Sequence, residues 1–182
     1  MQVFLDSDGV LADFDKLAGE ILGMPAREFE ERKHNGDSGP MWAELYAHED
    51  FFYKLPKMHD ADELVAGVRA IGLEPVVLTG VPSKEGSDWA IGQKIRWYAD
   101  HFPDLQVICC KSKDKFLHMV EDKHNVLIDD WLQHAQVWRD AGGTFIHHTT
   151  ATQSLADLDR LIFELDYANA YGYKQELDDR RN

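Results

Sequence analysis

The chain has 182 residues, of which 44% are hydrophobic and 29% charged, and its formal net charge is −14. This length fits one domain with a small insertion, and the composition is ordinary for a soluble globular protein. An acidic chain has no basic stripe along which a polynucleotide backbone could bind, so long nucleic acids are disfavoured as partners. A small anionic substrate, held by a few local cations or a metal, remains compatible with this charge.

The sequence gives no sign of a membrane-bound or exported protein. The first predicted strand begins at residue 2 or 3, and no basic segment followed by an apolar one, as in a signal peptide, precedes it. No apolar run approaches the roughly 18 residues of a membrane span. The two cysteines, Cys109 and Cys110, are adjacent and form no C-x-x-C motif, which favours buried strand positions over redox or metal chemistry. We therefore expect a cytoplasmic monomer or homodimer without membrane contact.

In chain order, short apolar runs alternate with segments of helical periodicity. The runs predict strands at Val3–Leu5, Pro75–Leu78, Gln106–Cys110, Asn125–Ile128 and Thr144–Ile146. Most of them are continuously apolar, which is typical of strands covered on both faces. The periodic segments predict helices at Asp60–Ile71, Trp89–Phe102, Lys113–Val120, Trp131–Ala141 and Leu155–Leu165, with a frayed polar tail after Tyr167. The alternation predicts an α/β fold, a Rossmann-like parallel sheet of about five strands with helices on both faces.

The first crossover is too long for an ordinary β-α-β unit. More than sixty residues separate the first two strands, against about thirty for a usual unit. The surplus contains predicted helices at Asp13–Leu22, Pro25–Lys33 and Met41–His48, and a loop at Asn35–Pro40. We interpret residues 14–58 as a small helical cap inserted after the first strand, and residues 1–13 and 59–182 as the α/β core. Aromatic residues are concentrated in this cap segment, mostly as the core of a small helical insertion.

Two predicted strands end in acidic pairs. Asp6 and Asp8 follow the first strand, with Gly9 directly after them, and Asp129 and Asp130 follow the fourth. The carboxyl ends of parallel strands meet at one edge of a sheet, where ligands gather in open α/β folds. A carboxylate here can attack phosphorus, a second can act as general acid and base, and the remaining ones suit Mg²⁺. We therefore expect a shared site at this edge.

A phosphate-binding segment is the second expectation. The second strand ends in Leu78-Thr79-Gly80, which offers a hydroxyl and a close backbone N–H to a phosphate oxygen. Transfer of a phosphoryl group also needs a cation. Lys94 lies early in the next predicted helix, whereas Lys111, Lys113 and Lys115 follow the third strand and compete for the same role.

The ordered set of these motifs resembles a known group of phosphatases. The segments D-S-D-G-V-L-A-D-F-D, L-T-G, a helical lysine and L-I-D-D, in this order, are similar to the four motifs of the haloacid dehalogenase (HAD) superfamily, over about residues 1–12 and 59–150. Within it, the continuation A-D-F-D, the cap exit F-F-Y-K-L and the stretch from G-Q-K-I-R-W-Y through S-K-D-K resemble the 5′(3′)-deoxyribonucleotidases. The last stretch favours Lys94 over Lys113 and Lys115.

The resemblance implies a role for each matching residue. Asp6 would be the nucleophile and Asp8 the general acid and base, while Thr79, Gly80 and Lys94 would bind the phosphate. Mg²⁺ would be held by Asp6, Asp8 through its backbone carbonyl, Asp129 and Asp130. The resemblance places Phe14 in the substrate pocket, and from their positions in the sequence we add Phe52, Tyr53 and Trp131 as further pocket candidates. The sequence departs from the family at Gly80, where serine is frequent, and at Trp131, where a basic or polar residue is common.

The sequence leaves several functions open. The first is a Mg²⁺-dependent phosphatase that hydrolyses a small phosphomonoester, a nucleoside or deoxynucleoside monophosphate above all, through an aspartyl-phosphate. The alternatives are a phosphatase or phosphomutase of sugar phosphates, and an inactive nucleotide-binding regulator. A carbon–halogen hydrolase is disfavoured by Asp8, because that reaction has no phosphate leaving oxygen to protonate. A phosphatase of nucleic-acid ends is disfavoured by the negative charge.

Overall fold

The computed structural model describes residues 1–34, 36–82 and 87–179 of the chain. Its strands are Gln2–Leu5 (β1), Val76–Gly80 (β2), Gln106–Cys110 (β3), Asn125–Asp129 (β4) and Thr144–His147 (β5). They form one parallel sheet in the order β3-β2-β1-β4-β5. The predicted α/β fold is confirmed, and each predicted strand is present within two residues at either end.

Both faces of the sheet are covered. Along β1, Val3 and Leu5 belong to the large hydrophobic cluster, whereas Phe4 between them belongs to a second, smaller one. Neighbouring residues of a strand point to opposite faces, so the two clusters lie on opposite sides of the sheet. Burial of both faces explains why the strands are continuously apolar in the sequence.

The core helices follow the predicted order, but two of them differ from the prediction in helix type and the last one differs in length. They are Ala61–Ala70 (α4), Ser87–His101 (α5), Ala135–Asp140 (α6) and Ala151–Asp179 (α7). The helix predicted at Lys113–Val120 is a 3₁₀ helix over Ser112–His118, and the one predicted at Trp131–Ala141 is a 3₁₀ turn, Leu132–His134, followed by α6.

The predicted frayed tail after Tyr167 is wrong up to Asp179, because α7 continues to that residue. The segment after Tyr167 contains helix-forming Ala, Lys, Gln, Glu and Leu and no proline, so nothing in it stops the helix. Residues 180–182 lie outside the described part of the chain. In that part, no helix combines the length and the apolar character that a membrane span requires.

The cap segment, residues 14–58, begins and ends at the same place on the core. Its helices are Phe14–Leu22 (α1), Ala26–His34 (α2) and Gly39–Tyr46 (α3), and they pack against one another. The Asp13 carboxylate caps α1 by accepting a hydrogen bond from Lys16 N at 3.1 Å.

The two connections of the cap segment run side by side. Asp13 N donates to Pro56 O at 2.7 Å and Met58 N to Leu11 O at 2.9 Å. The division into a core and a cap domain stays a prediction, and Asn35 of the predicted loop Asn35–Pro40 lies outside the described residues.

Candidate active site

The sheet brings the acidic residues of β1 and β4 to one edge. Leu5 pairs with Ile128, and Asp6 N donates to Ile128 O at 2.9 Å, so the two strand ends are level. As a result, carboxylate oxygens of Asp6, Asp129 and Asp130 lie within 4.8 Å of one another. The expectation of a common acidic cluster at the carboxyl edge thus has a direct structural basis in strand register.

Gly9 allows the turn after β1 to approach the second acidic pair. Its φ is 79°, a left-handed conformation that favours glycine, and an added Cβ would collide with the Asp130 carboxylate. The turn is closed by Ser7 O, which accepts hydrogen bonds from the backbone of Val10, Leu11 and Ala12. The turn therefore holds Asp6 and Asp8 in fixed positions beside the acidic end of β4.

Lys115 lies between the two strand ends. Its Nζ is 2.8 Å from Asp6 Oδ1 and 2.7 Å from Asp129 Oδ2, and the residue is only 5% exposed. Burial alone would lower the pKa of Lys115, but the two carboxylates outweigh this effect and raise it. Lys115 is therefore a permanent cation at the centre of the acidic cluster.

A second buried lysine holds the other carboxylate of the turn. Lys94 Nζ, on α5, donates to Asp8 Oδ1 at 2.6 Å and to Thr79 Oγ1 at 3.0 Å, and the residue is 2% exposed. The neighbouring Gln93 fixes α5 against the end of the cap segment, because its Oε1 accepts a hydrogen bond from Phe52 N at 2.8 Å. Lys94 thereby links the ends of β1 and β2.

Three carboxyl groups of the site, those of Asp8, Asp129 and Asp130, have raised pKa values. Burial, with the Asp6 charge beside it, raises the pKa of Asp129 to about 6 against the opposing effect of Lys115. Burial and the charges of Asp6 and Asp129 raise the pKa of Asp130 to about 7. Burial also raises the pKa of Asp8, although Lys94 opposes the shift. Burial is the largest cause of all three shifts, and the charges of neighbouring carboxylates add to it.

The donor set suits a hard divalent cation. Three carboxylates converge within 4.8 Å, and Mg²⁺ takes oxygen ligands, usually one or two carboxylates with water. A divalent cation would also relieve the repulsion that raises the pKa values of Asp129 and Asp130. The residues present therefore fit Mg²⁺, with Asp6, Asp129 and Asp130 as the side chains that would hold it.

Aromatic residues of the cap segment reach this site through Phe52. The Phe14 ring contacts Trp42 at 5.9 Å and Phe51 at 5.5 Å between centroids, and Trp42 stacks on Phe52 at 6.3 Å. Lys94 Nζ lies 4.7 Å from the centre of the Phe52 ring. Phe52 is almost fully buried while Phe14 is half-buried, so Phe14 is the more accessible of these two predicted pocket residues.

The other two predicted pocket residues are placed differently. Tyr53 is turned toward α5, where its hydroxyl donates to Asp100 at 2.6 Å and its ring lies 4.6 Å from the Arg96 guanidinium carbon. Trp131 follows the acidic pair, and its backbone N–H donates to Asp129 Oδ1 at 2.8 Å, while 48% of the residue is exposed. The structure therefore ties Tyr53 to the outside of α5 and leaves Trp131 beside the acidic cluster.

Two of the four candidate lysines, Lys94 and Lys115, reach the acidic edge of the sheet. The sequence favours Lys94 over Lys113 and Lys115, with Lys111 as a further competitor. The fold brings Lys94 and Lys115 to the site together, while Lys111 and Lys113 are exposed. The available signal was position, since Lys115 is the last of the three lysines after β3 and the only one directly followed by an aromatic residue, Phe116. Phe116 is partly buried and packs against the smaller hydrophobic cluster.

Comparisons with known proteins agree on the fold. No protein-family model and no curated protein sequence matches the chain. Among solved structures, a hydrolase from Streptococcus pneumoniae TIGR4 superposes with a TM-score of 0.55 at 12% identity, over 87% of this chain and 97% of that one. A hydrolase from Pseudomonas syringae gives a TM-score of 0.53 at 10% identity, over 88% and 98%. These likenesses show that the chain shares the α/β fold of these two proteins along almost its whole length.

Proposed function

We propose that the protein is a Mg²⁺-dependent phosphatase of the HAD type that hydrolyses a small phosphomonoester through an aspartyl-phosphate. The observation that carries the proposal is the convergence of Asp6, Asp8, Thr79, Asp129 and Asp130 with two buried lysines at one edge of the sheet. The motif order in the sequence and the fold shared with two hydrolases support it.

The proposed reaction has two balanced steps. An Asp6 carboxylate oxygen forms a bond to phosphorus as the ester P–O bond breaks, and Asp8 gives a proton to the leaving alcohol. A water then attacks phosphorus, Asp8 takes the proton of that water, and the P–O bond to Asp6 breaks to release phosphate. A bound Mg²⁺ would offset the repulsion between Asp6 and the phosphate. The raised pKa of Asp8 agrees with a group that carries a proton in the first step.

The two buried lysines, Lys94 and Lys115, would bind the phosphate from different sides. Thr79 and Lys94, which are hydrogen-bonded to each other, would face one side of the phosphate, with Asp8 beside them. Lys115, in contact with Asp6 and Asp129, would hold the opposite side. The backbone N–H of Gly80 would add a donor at the end of β2. Lys115 thus joins Lys94 as a proposed phosphate-binding residue.

A nucleoside monophosphate, ribo- or deoxyribo-, is the substrate we propose. The half-buried ring of Phe14 and the neighbouring Trp42 offer flat apolar surface near the site, and stacking of a base on such rings contributes about 1–3 kcal/mol. The Lys94 contact with Phe52 connects these rings to the phosphate-binding residues. We expect the protein to act without membranes or long nucleic acids.

The test is phosphate release with Mg²⁺ from a panel of ribo- and deoxyribonucleoside 5′- and 3′-monophosphates, sugar phosphates and aryl phosphates. We expect selective turnover of nucleotides that is lost in the Asp8→Asn variant. Turnover of sugar or aryl phosphates alone would keep the catalytic proposal and reject the nucleotide. No turnover, combined with tight nucleotide binding, would reject the phosphatase in favour of a regulator.

A further inference from the structure

Gly80 lies in the proposed phosphate-binding segment and has no side chain. The space that a side chain would take is filled by Ser112, from the 3₁₀ helix Ser112–His118. A Cβ added to Gly80 would overlap with Ser112 Oγ and would lie 3.3 Å from Ser112 Cβ. The φ of Gly80 is not in the left-handed region, so its backbone does not require glycine. Glycine is needed here because Ser112 already occupies the position of a side chain.

Ser112 also lies on the same face of its helix as Lys115. The two residues are three positions apart in the 3₁₀ helix Ser112–His118, and side chains at this spacing eclipse each other in a 3₁₀ helix. The Lys115 ammonium contacts Asp6 and Asp129 at the centre of the acidic cluster. The Ser112 hydroxyl is therefore directed to the same edge of the sheet, between the end of β2 and Lys115.

The hydroxyl of Ser112 has no hydrogen-bond partner within the described part of the chain. Its neighbour Lys111 is the N-cap of the 3₁₀ helix and makes no side-chain capping bond, and no hydrogen bond of Ser112 Oγ is found among the described residues. The residue is half-buried, so part of its surface is open to solvent. A hydroxyl donates readily to an anionic oxygen.

We infer that Ser112 is a phosphate-binding residue, whose hydroxyl takes the place of a side chain at Gly80 and donates to an oxygen of the transferred phosphate. The inference rests on the proposed function and adds a second donor from the 3₁₀ helix that carries Lys115, beside Thr79 of β2 and Lys94 of α5. The 3₁₀ helix would then contribute two groups to the phosphate, a neutral donor and a cation, from a single face.

The test compares inorganic phosphate binding, by calorimetry with Mg²⁺, and kcat/KM for p-nitrophenyl phosphate in matched variants. Ser112→Ala should weaken phosphate binding and lower kcat/KM about 10- to 100-fold, as expected for one lost hydrogen bond to a charged group. Ser38→Ala, the same change before α3, should leave both unchanged. Unaltered phosphate binding in Ser112→Ala would overturn the inference.

A second test moves the hydroxyl from position 112 to position 80. Gly80→Ser alone should lose activity, because the new side chain meets Ser112. Gly80→Ser combined with Ser112→Gly should bind phosphate more tightly than Gly80→Ala combined with Ser112→Gly, since only the former carries a hydroxyl. Equal binding in the two double variants would contradict the inference. Thermal unfolding of each variant identifies any that does not fold.

The two proposals fail in different ways. If the wild type binds inorganic phosphate but hydrolyses no phosphate ester, the proposed function is rejected, and the binding data still decide the role of Ser112. If the wild type hydrolyses phosphate esters and Ser112→Ala is unchanged in both readouts, only the present inference is rejected. If the wild type neither binds nor releases phosphate, both are rejected.

Discussion

The carboxyl edge of the sheet and the cap segment contribute to the candidate site in different ways. At the edge, charged groups are fixed by strand register and by direct ion pairs, as Asp6 and Asp129 are by Lys115. In the cap segment, the aromatic rings contact one another, as Phe14 does Trp42 and Phe51, and among the rings that the structure describes there Phe52 is the one in contact with a charged group of the edge, Lys94. We therefore propose that the edge carries the chemistry, whereas the cap segment controls access and substrate preference.

The largest effect is expected from the edge. Asp6→Asn removes the proposed nucleophile at almost constant volume, so phosphate release should fall at least about 10⁴-fold, as when other nucleophiles are removed. Asp13→Asn is the matched control, because asparagine caps a helix as well as aspartate does and α1 keeps its cap. Steady-state phosphate release measures both. Full activity in Asp6→Asn would reject the proposed mechanism.

A smaller loss is expected when one of the buried cations is removed. Lys115→Met leaves Asp6 and Asp129 without their common partner, so phosphate release should fall about 10²- to 10³-fold, as when one electrostatic stabiliser is lost. Lys94→Met should have a weaker effect, because Lys94 contacts Asp8 and Thr79 rather than the nucleophile. The exposed neighbour Lys113→Met should match the wild type.

This ranking of the lysines can be contradicted directly. A fully active Lys115→Met variant beside an inactive Lys94→Met variant would place the phosphate on the Lys94 side alone, as the sequence favoured. Thermal unfolding of the variants must accompany the rates, since removing one partner of a buried ion pair also costs about 3–5 kcal/mol of stability.

The fold could be predicted from the sequence in most respects, because its signals are local. Apolar runs and helical spacing are sufficient to identify β1 to β5 and α4 to α6, and Asp6 and Asp129 follow their strands directly. Contacts between distant segments could not be predicted in the same way. The contact of Lys115 with Asp6, and the position of Ser112 against Gly80, depend on how the 3₁₀ helix packs against β2.

The cap segment was less predictable for a related reason. Composition shows that aromatic residues are concentrated there, but it does not distinguish a ring that lines a pocket from one that fills a core. The structure separates Phe14, which is half-buried, from Phe52, which is buried, and from Tyr53, which is bound to Asp100. These outcomes follow from packing between helices, for which periodicity carries no signal.

A change in the cap segment should alter preference rather than chemistry. Phe14→Ala removes the accessible ring, so KM for nucleoside monophosphates should rise about tenfold, while kcat/KM for p-nitrophenyl phosphate should change by less than about twofold. The exposed Phe163 on α7 provides the control as Phe163→Ala, which should change neither value. An equal loss for both substrates in Phe14→Ala would show that the ring supports the edge itself.

The smallest expected effect is a pH dependence of the thermal stabilisation that Mg²⁺ gives to the protein. The pKa of Asp130 is raised to about 7, so this carboxyl is mostly ionised at pH 8 and mostly protonated at pH 6. A cation must displace the proton at the lower pH, and we expect the increase in Tm produced by Mg²⁺ to be several degrees larger at pH 8 than at pH 6.

The pH dependence of the Mg²⁺ effect should be weaker in Asp130→Asn and unchanged in Asp37→Asn, which alters a carboxylate of the cap segment. Thermal unfolding with and without Mg²⁺ at the two pH values measures it. A larger Tm gain at pH 6 than at pH 8 would contradict the assignment of the metal to this acidic cluster.

The central claim is that Asp6 bonds to phosphorus during turnover, and chemical trapping tests it most directly. Substrate turnover is quenched with borohydride, which reduces an aspartyl-phosphate to homoserine, and the modified position is identified by mass spectrometry of peptides. We expect homoserine at position 6, dependent on substrate and Mg²⁺ and absent in Asp6→Asn. Homoserine at another carboxylate, or full turnover with none at position 6, would contradict it.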